Sequence, residues 1–260
     1  MPIYYVDKKY PEIVDAKEKN TLVIIPIGMI EEHGHHLPIS TDTIIADEIA
    51  KLTAKRIQDE IPVLVLPPVW TGFHNKPVSD YPGALSLRPE TLIDLVYDIC
   101  ASLCKDGFKK IFLLNGHGQN PPVLEIVCRK ITDDFGVNML MASTWKLIGK
   151  EGAKIRKSKV GGCGGHGDEV ETSLMLAINK NLVDMTKAYD ESCNYSNQFI
   201  AGDIWPEHET FGGVYWSAWA VQKTKTGLLG DASVATEETG RKFLELIVGN
   251  CCDLLRLYYK

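Results

Sequence analysis

The stretch TLVIIPI at 21–27 constrains the fold more than any other part of the chain. From Leu22 onward it is continuously apolar rather than alternating, the pattern of a strand buried on both faces, as in a parallel sheet covered by helices. Further short strands are expected at 63–66, which prolines 62, 67 and 68 delimit, at 111–114 and at 137–143. Helical spacing lies between them. Ile45, Ile49 and Leu52 mark a helix over 42–57, and Leu92, Leu95, Val96, Ile99 and Leu103 share a stripe in the segment that opens at Pro89. Another helix is expected after Pro121–Pro122, since proline suits a first helical turn. Val170, Leu174, Met175, Ala177 and Ile178 mark a helix over 169–178, and a closing helix should run from Glu237 to Leu255. Repeated alternation of strand and helix predicts a three-layer α/β/α sandwich around a mainly parallel sheet. With no internal repeat and no long polar linker, residues 1–260 are expected to form a single domain.

Charge and cysteine usage narrow the function classes. The formal net charge is −6, and the most basic stretch, KLIGKEGAKIRKSK at 146–159, is short and mixed. Nucleic acid is therefore not expected as a partner. No apolar run reaches membrane-spanning length, and the first residues lack a basic-then-apolar leader, so no membrane association is expected. The seven cysteines are an odd number and contain no CxxC pair. That usage fits a reducing compartment, and the chain is expected to be cytoplasmic.

Three polar clusters follow predicted strands: EEHGHHLPISTD at 31–42, NGHGQN at 115–120 and GGHGDEVE at 164–171. The first holds three of the chain's seven histidines. Sites in open α/β sheets form beyond the carboxyl ends of the strands, so a parallel sheet would bring the clusters to one rim. Imidazole with carboxylate is a natural donor set for zinc, manganese or iron. Glu31, His33, Asp42 and His117 are the leading candidates. Asp42, at the mouth of a helix, could bridge two divalent ions, and such pairs, roughly 3.5–4 Å apart, polarise a carbonyl and activate water. Cys163 is the only thiol in or beside these clusters, which favours catalysis over a structural cysteine-rich site. Glu32 reads equally as a solvated carboxylate or as support for a ligand. The long loop 70–88 places His74 among the candidates, since loops of that length are more often functional than idle. His208 reads as a surface residue. There is no HExxH helix, no GxSxG elbow and no GxGxxG after the first strand.

GMIEEHGHHLP at 28–38, with Asp42 six positions after His36, resembles the opening motif of the creatininase family of metal-dependent amidohydrolases. NGHGQN resembles the family's second motif, GHGDEVETS at 165–173 its third, and TGLLGD at 226–231 a late element. Order and spacing agree over nearly the whole chain. The resemblance implies a three-layer α/β sandwich assembled as a homo-oligomer, commonly a hexamer. It implies two divalent ions, zinc first, with manganese or iron as alternatives. Glu31 and His117 would hold one ion and His33 the other, with Asp42 between them, while His166 would contact a small-molecule substrate and move a proton. Known activities in the family include opening of creatinine, deformylation of a pyrimidine intermediate, trimming of a peptide-derived cofactor precursor and hydrolysis of an oxidised inositol ring.

The chain departs from the creatinine-cleaving members at several positions. They carry a glutamate ligand where this chain has Gln119, and a tyrosine where it has Gly118. A pocket tryptophan and aspartate fall on Gly162 and Cys163, while Trp145 is kept. Creatinine is therefore not the expected substrate. Glu171 is expected to complete the second ion's ligands and take part in catalysis, with Gln119 bonding a metal-held water. The expected reaction is hydrolysis of an amide, cyclic amide or formamide C–N bond. Carbon–carbon cleavage of a cyclic polyol ketone is the alternative, with Asn75, Lys76 and Asp80 as polar contacts. A non-catalytic metal-binding scaffold is the third reading. Trp205, Tyr215 and Trp216 are candidates for an interface between copies.

Overall fold

A computed structural model describes residues 3–75, 81–159, 165–192, 196–205, 214–215 and 224–260. In chain order the main elements are α1 (Tyr10–Glu18), β1 (Leu22–Ile27), α2 (Thr41–Ile57), β2 (Val63–Val65), α3 (Pro89–Asp106), β3 (Lys110–Asn115), α4 (Pro121–Phe135) and β4 (Leu140–Ser143). Short helices α5 (Thr144–Leu147) and α6 (Gly152–Ile155) follow, then α7 (Glu169–Asn179), the small strands β5 (Asp190–Glu191) and β6 (Gly230–Asp231), and α8 (Glu237–Tyr259). The first four strands form one parallel sheet in the order β2-β1-β3-β4, and β5 pairs antiparallel with β6.

The continuous apolar run of β1 is explained by its two covers. Leu22 and Ile24 face a core shared with α2, α7 and α8, through Ile45, Ile49, Met175, Phe243 and Ile247. Val23, Ile25 and Ile27 face the opposite core, with Leu92 and Val96 of α3 and Leu124 and Val127 of α4. β3 divides in the same way, Phe112 and Leu114 to one side and Ile111 and Leu113 to the other. Successive side chains on a strand point to opposite faces, so a strand between two helical layers is apolar at every position. Each fully buried aliphatic side chain contributes about 1.5–3 kcal/mol relative to exposure.

Some ends differ from expectation. β4 starts at Leu140 rather than 137, because its first partner on β3 is Phe112. Val137 instead follows Gly136, the left-handed cap of α4, and packs into the second core. The closing helix continues past Leu255 to Tyr259, where the Tyr258 hydroxyl donates to the carbonyl of Ile111. Among the described residues, no helix is long and apolar enough to cross a membrane. Cys100, Cys104, Cys128, Cys251 and Cys252 are free thiols.

Candidate metal centre

From β1 the chain passes to β2 on one side and then returns to β3 on the other. That reversal makes the β1/β3 boundary a topological switch point, where connections diverge and leave a crevice at the strands' carboxyl ends. Glu31 and His33 follow β1 and His117 follows β3, so two sequence motifs meet there. Asp42 reaches the crevice from the first turn of α2, where the helix dipole favours a carboxylate. Two glycines admit it. A Cβ on Gly28 would lie 2.2 Å from Thr43 Oγ1, and one on Gly116 would lie 2.6 Å from the Asp42 carbonyl oxygen. Bare backbone at both strand ends lets the N-terminus of α2 sit directly over them.

The imidazoles are aimed by backbone carbonyls. His117 donates from Nε2 to the Phe73 carbonyl at 3.1 Å, so its Nδ1 faces Glu31 Oε1 at 2.7 Å and Asp42 Oδ2 at 3.0 Å. His33 donates from Nδ1 to the Glu31 carbonyl at 3.3 Å. Its Nε2 faces Asp42 Oδ1 at 3.0 Å and Glu171 Oε2 at 3.5 Å. A neutral imidazole whose outer N–H is committed to a carbonyl presents only a lone pair inward, and here each lone pair meets carboxylate oxygens. Acceptors facing acceptors require a cation or an added proton between them. The ligand atoms of Glu31, Asp42 and His117, and likewise those of His33, Asp42 and Glu171, lie within 4.8 Å of one another. Asp42 belongs to both of these groups, and a third is formed by Glu31, His33 and His166. The donor set therefore fits two divalent ions, with outer N–H groups held as metal-binding histidines require.

The electrostatics agree. Burial, and beside it His166, would depress the His33 pKa, yet Asp42 and Glu171 raise it to about 9. Burial would depress His117 too, but Glu31 and Asp42 carry it to about 10. Against the desolvation that would raise it, Asp42 is held well below the usual carboxylate range by His33 and His117. Burial lifts Glu171 to about 7, opposed by His33. Carboxylates that overcome burial to draw protons onto two imidazoles are a demand for positive charge in the crevice.

His166 stands beside this cluster, its ring centroid 4.3 Å from that of His33. Its Nε2 donates to the Glu32 carbonyl at 2.6 Å and lies 3.3 Å from Glu32 Oε2. Nδ1 is thereby left 3.8 Å from Glu31 Oε1. The late TGLLGD element braces this pair, since His166 and Leu229 form a backbone bridge. Gly227, at φ +86°, lies so close to the Glu32 carboxylate that an added Cβ would clash. Asp168 caps α7 by accepting from the backbone amides of Val170 and Glu171. Glu171 Oε2 accepts from the Gly167 amide at 2.6 Å. A cavity of about 570 Å³ opens over the centre, lined by Glu31, Asp42, His117, Trp145, His166 and Glu171 among others.

The crevice thus gathers Glu31, His33, Asp42, His117, His166 and Glu171. Glu32 is not a solvated carboxylate: it is 8% exposed and turned toward His166. His74 is buried, and its Nε2 donates to Glu31 Oε2 at 2.8 Å. Burial lowers its pKa to about 4, so it is a neutral donor. Gln119 lies beside the centre, where its Oε1 accepts from the Asn75 amide at 2.8 Å. Gly118 is exposed, with nothing among the described residues within 4 Å of an added Cβ. His36 bonds the Thr172 hydroxyl at 2.8 Å and ties the first motif to α7, while His35 is exposed near Tyr189. Lys76, Asp80, Gly162, Cys163, His208 and Trp216 lie outside the described residues.

Sequence reasoning overlooked the asparagines that shape the second motif. Asn115 Oδ1 accepts from the His117 amide and from Asn120 Nδ2, and Asn120 Oδ1 accepts from the Phe73 amide. Two asparagines flanking a Gly-His-Gly turn were the available signal, since such side chains replace missing backbone partners.

A family model described as "Creatininase: Creatinine amidohydrolase" matches residues 7–255. The chain belongs to the creatininase family. Members of the creatininase family most similar to it include creatinine amidohydrolase of Pseudomonas putida, 29% identical over 96% of this chain and 93% of the relative. The 3-dehydro-scyllo-inosose hydrolase of Thermotoga maritima is 26% identical over 98% of this chain and 83% of the relative. The solved structure described as manganese creatininase superposes with a TM-score of 0.78 at 25% identity, covering 98% of each chain. These relatives are hydrolases, and the chain is a hydrolytic enzyme of their family with a metal-binding donor set.

Proposed function

We propose that the protein is a two-metal hydrolase that cleaves a C–N bond, in an amide, cyclic amide or formamide, within a small polar substrate. One observation carries the reading: the two oxygens of Asp42 each lie 3.0 Å from a different inward-facing imidazole, His33 and His117. Divalent ions held at such a centre supply a water acidic enough to act as nucleophile near neutral pH and polarise the carbonyl under attack. Zinc is the first choice for this set, with manganese or iron as alternatives.

The chain's own residues supply the rest. His33, Asp42 and Glu171 form one half of the centre, and Glu31, Asp42 and His117 the other. Glu32 fixes the orientation of His166 through Nε2, so the proton that His166 passes to a departing nitrogen sits on Nδ1, the atom nearest Glu31. Against the burial that would lower it, Glu31 and Glu32 raise the His166 pKa well above its ordinary value, which favours the charged, proton-donating form. Trp145 on the cavity wall gives a flat apolar surface for the substrate. The space beside Gly118 removes a side chain that the family resemblance associates with creatinine, so creatinine lies outside our reading.

A second reading is carbon–carbon hydrolysis of a cyclic polyol ketone. The inosose hydrolase relative and the presence of Asn75 on the cavity wall support it. Assembly into a homo-oligomer belongs to either reading. Purified protein should contain two divalent ions per chain by elemental analysis and turn over at least one compound in a panel of lactams, formamides and keto-inositols. Formamide or lactam cleavage supports the first reading and keto-inositol cleavage the second. Two bound ions with no turnover of any compound would instead indicate a metal-binding scaffold.

A further inference from the structure

Residues 73–75 cross the metal centre, and four of their polar groups are taken by side chains of the first and second motifs. The Phe73 carbonyl accepts from His117 Nε2 at 3.1 Å, and the Phe73 amide donates to Asn120 Oδ1 at 2.9 Å. The Asn75 amide donates to Gln119 Oε1 at 2.8 Å. Between them, the His74 side chain donates to Glu31 Oε2 at 2.8 Å, and its backbone amide is held by Ser86 Oγ at 3.0 Å. Three of the four residues following Gly116 in the second motif, His117, Gln119 and Asn120, thus grip one short strap. The fourth residue, Gly118, has no side chain to offer.

These contacts are asymmetric across the two halves of the centre. His117 and Glu31, the donors that with Asp42 form one half, are both held by the strap. The donors of the other half are held elsewhere: His33 by the Glu31 carbonyl and Glu171 by the Gly167 amide. His74 is 4% exposed, and its second ring nitrogen, Nδ1, has no hydrogen-bond partner among the described residues. Burying a histidine with an orphaned nitrogen is costly unless its other nitrogen has a task, and the only task visible is to orient Glu31. Gln119, in a position where the resemblance leads one to expect a ligand, spends its carbonyl oxygen on the strap.

We propose that residues 73–75 are a strap that sets the affinity of the Glu31–Asp42–His117 half alone, with His74 and Gln119 as its positioning residues. The proposal rests on the two-metal reading above. Outer contacts of this kind hold a ligand in its binding orientation, and their loss typically weakens metal affinity about 10–100-fold. Binding linkage is reciprocal, so an ion in that half tightens the strap by the factor with which the strap tightens the ion.

Calorimetric titration of the metal-stripped full chain with zinc tests this, using His74→Ala, Gln119→Ala and, as a conservative control, His74→Gln. Wild type should show two binding steps. In H74A and Q119A one step should weaken about 10–100-fold while the other is unchanged, and H74Q should recover part of the loss. A loss of general stability would weaken both steps alike, and that result, or two unchanged steps in both variants, overturns the strap while leaving the two-metal reading intact. A wild type that binds no zinc overturns both. Amide hydrogen exchange gives an independent readout: zinc should slow exchange at Phe73 and Asn75 in wild type, and in Q119A it should no longer protect Asn75. Zinc-independent exchange at both amides in wild type also overturns the proposal.

Discussion

Asp42 lies where two candidate metal-ligand groups overlap, and single substitutions around it should separate them. Asp42→Asn keeps the shape but removes the charge that faces both His33 and His117, so elemental analysis should find both ions lost or nearly so. Glu171 touches only the His33 side. Glu171→Gln should therefore deplete one ion, and a metal content equal to that of wild type would show that Glu171 is not a ligand. His166 donates through Nε2 to Glu32, and it shares a candidate ligand group with Glu31 and His33 but with neither Asp42 nor His117. His166→Ala should keep the fold and bound metal while slowing turnover of a hydrolysed substrate about 10²–10⁴-fold. Unchanged turnover would remove the proton-transfer role. The residues that meet in the crevice were legible because Glu, His and Asp clustered after predicted strands without thiols. The true partners of Glu32, His74 and Gln119 were not legible, because each depends on a contact between residues distant in sequence. Glu32 meets the third motif, His74 meets the first, and Gln119 meets a loop amide.

At the scale of elements, helices and strands were legible wherever periodicity was strong, and ends were lost where pairing partners decided them, as at β4. Helix contacts were opaque, because close approach is written in glycines that carry no hydrophobic signal. Gly240 in α8 is such a position: a Cβ there would lie 1.7 Å from the Ser173 carbonyl oxygen of α7. Gly240→Ala must push the two helices apart and should cost about 1–3 kcal/mol in urea denaturation. Gly249 in the same helix has no atom nearer than Arg56 Nη1 at 4.0 Å. Gly249→Ala should instead add about 0.5–1 kcal/mol through helix propensity. Equal effects at the two sites would mean that the α7–α8 contact is looser than the structure shows. Because α7 carries Glu171 in its first turn, G240A should also disturb the second half of the metal centre more than the first.

For the whole molecule, the centre joins the ends of the two central strands, β1 and β3, to α2 and α7, so bound ions should stabilise the entire fold. A ligand present at about 100 times its dissociation constant adds about 2.7 kcal/mol. For a chain of this size that corresponds to a melting temperature about 5–10 °C higher with zinc than after chelation. Asp42→Asn should melt at the same temperature with and without chelator. An equal chelator effect in both proteins would place the stabilising ion elsewhere. The sandwich as a whole was legible from β1 and β3, whose apolar runs require cover on both faces. Which side of the sheet each connection takes, and hence that β1 and β3 flank the crevice, was not.

The donors emerge from the ribosome in a fixed order: Glu31, His33 and Asp42 early, His117 later, Glu171 last. A nascent chain that has released only the first motif offers Glu31, His33 and Asp42 without the His74 ring that orients Glu31 and without His117 or Glu171. The Glu31–Asp42–His117 half thus becomes complete only with the second motif, and the His33–Asp42–Glu171 half only with the third.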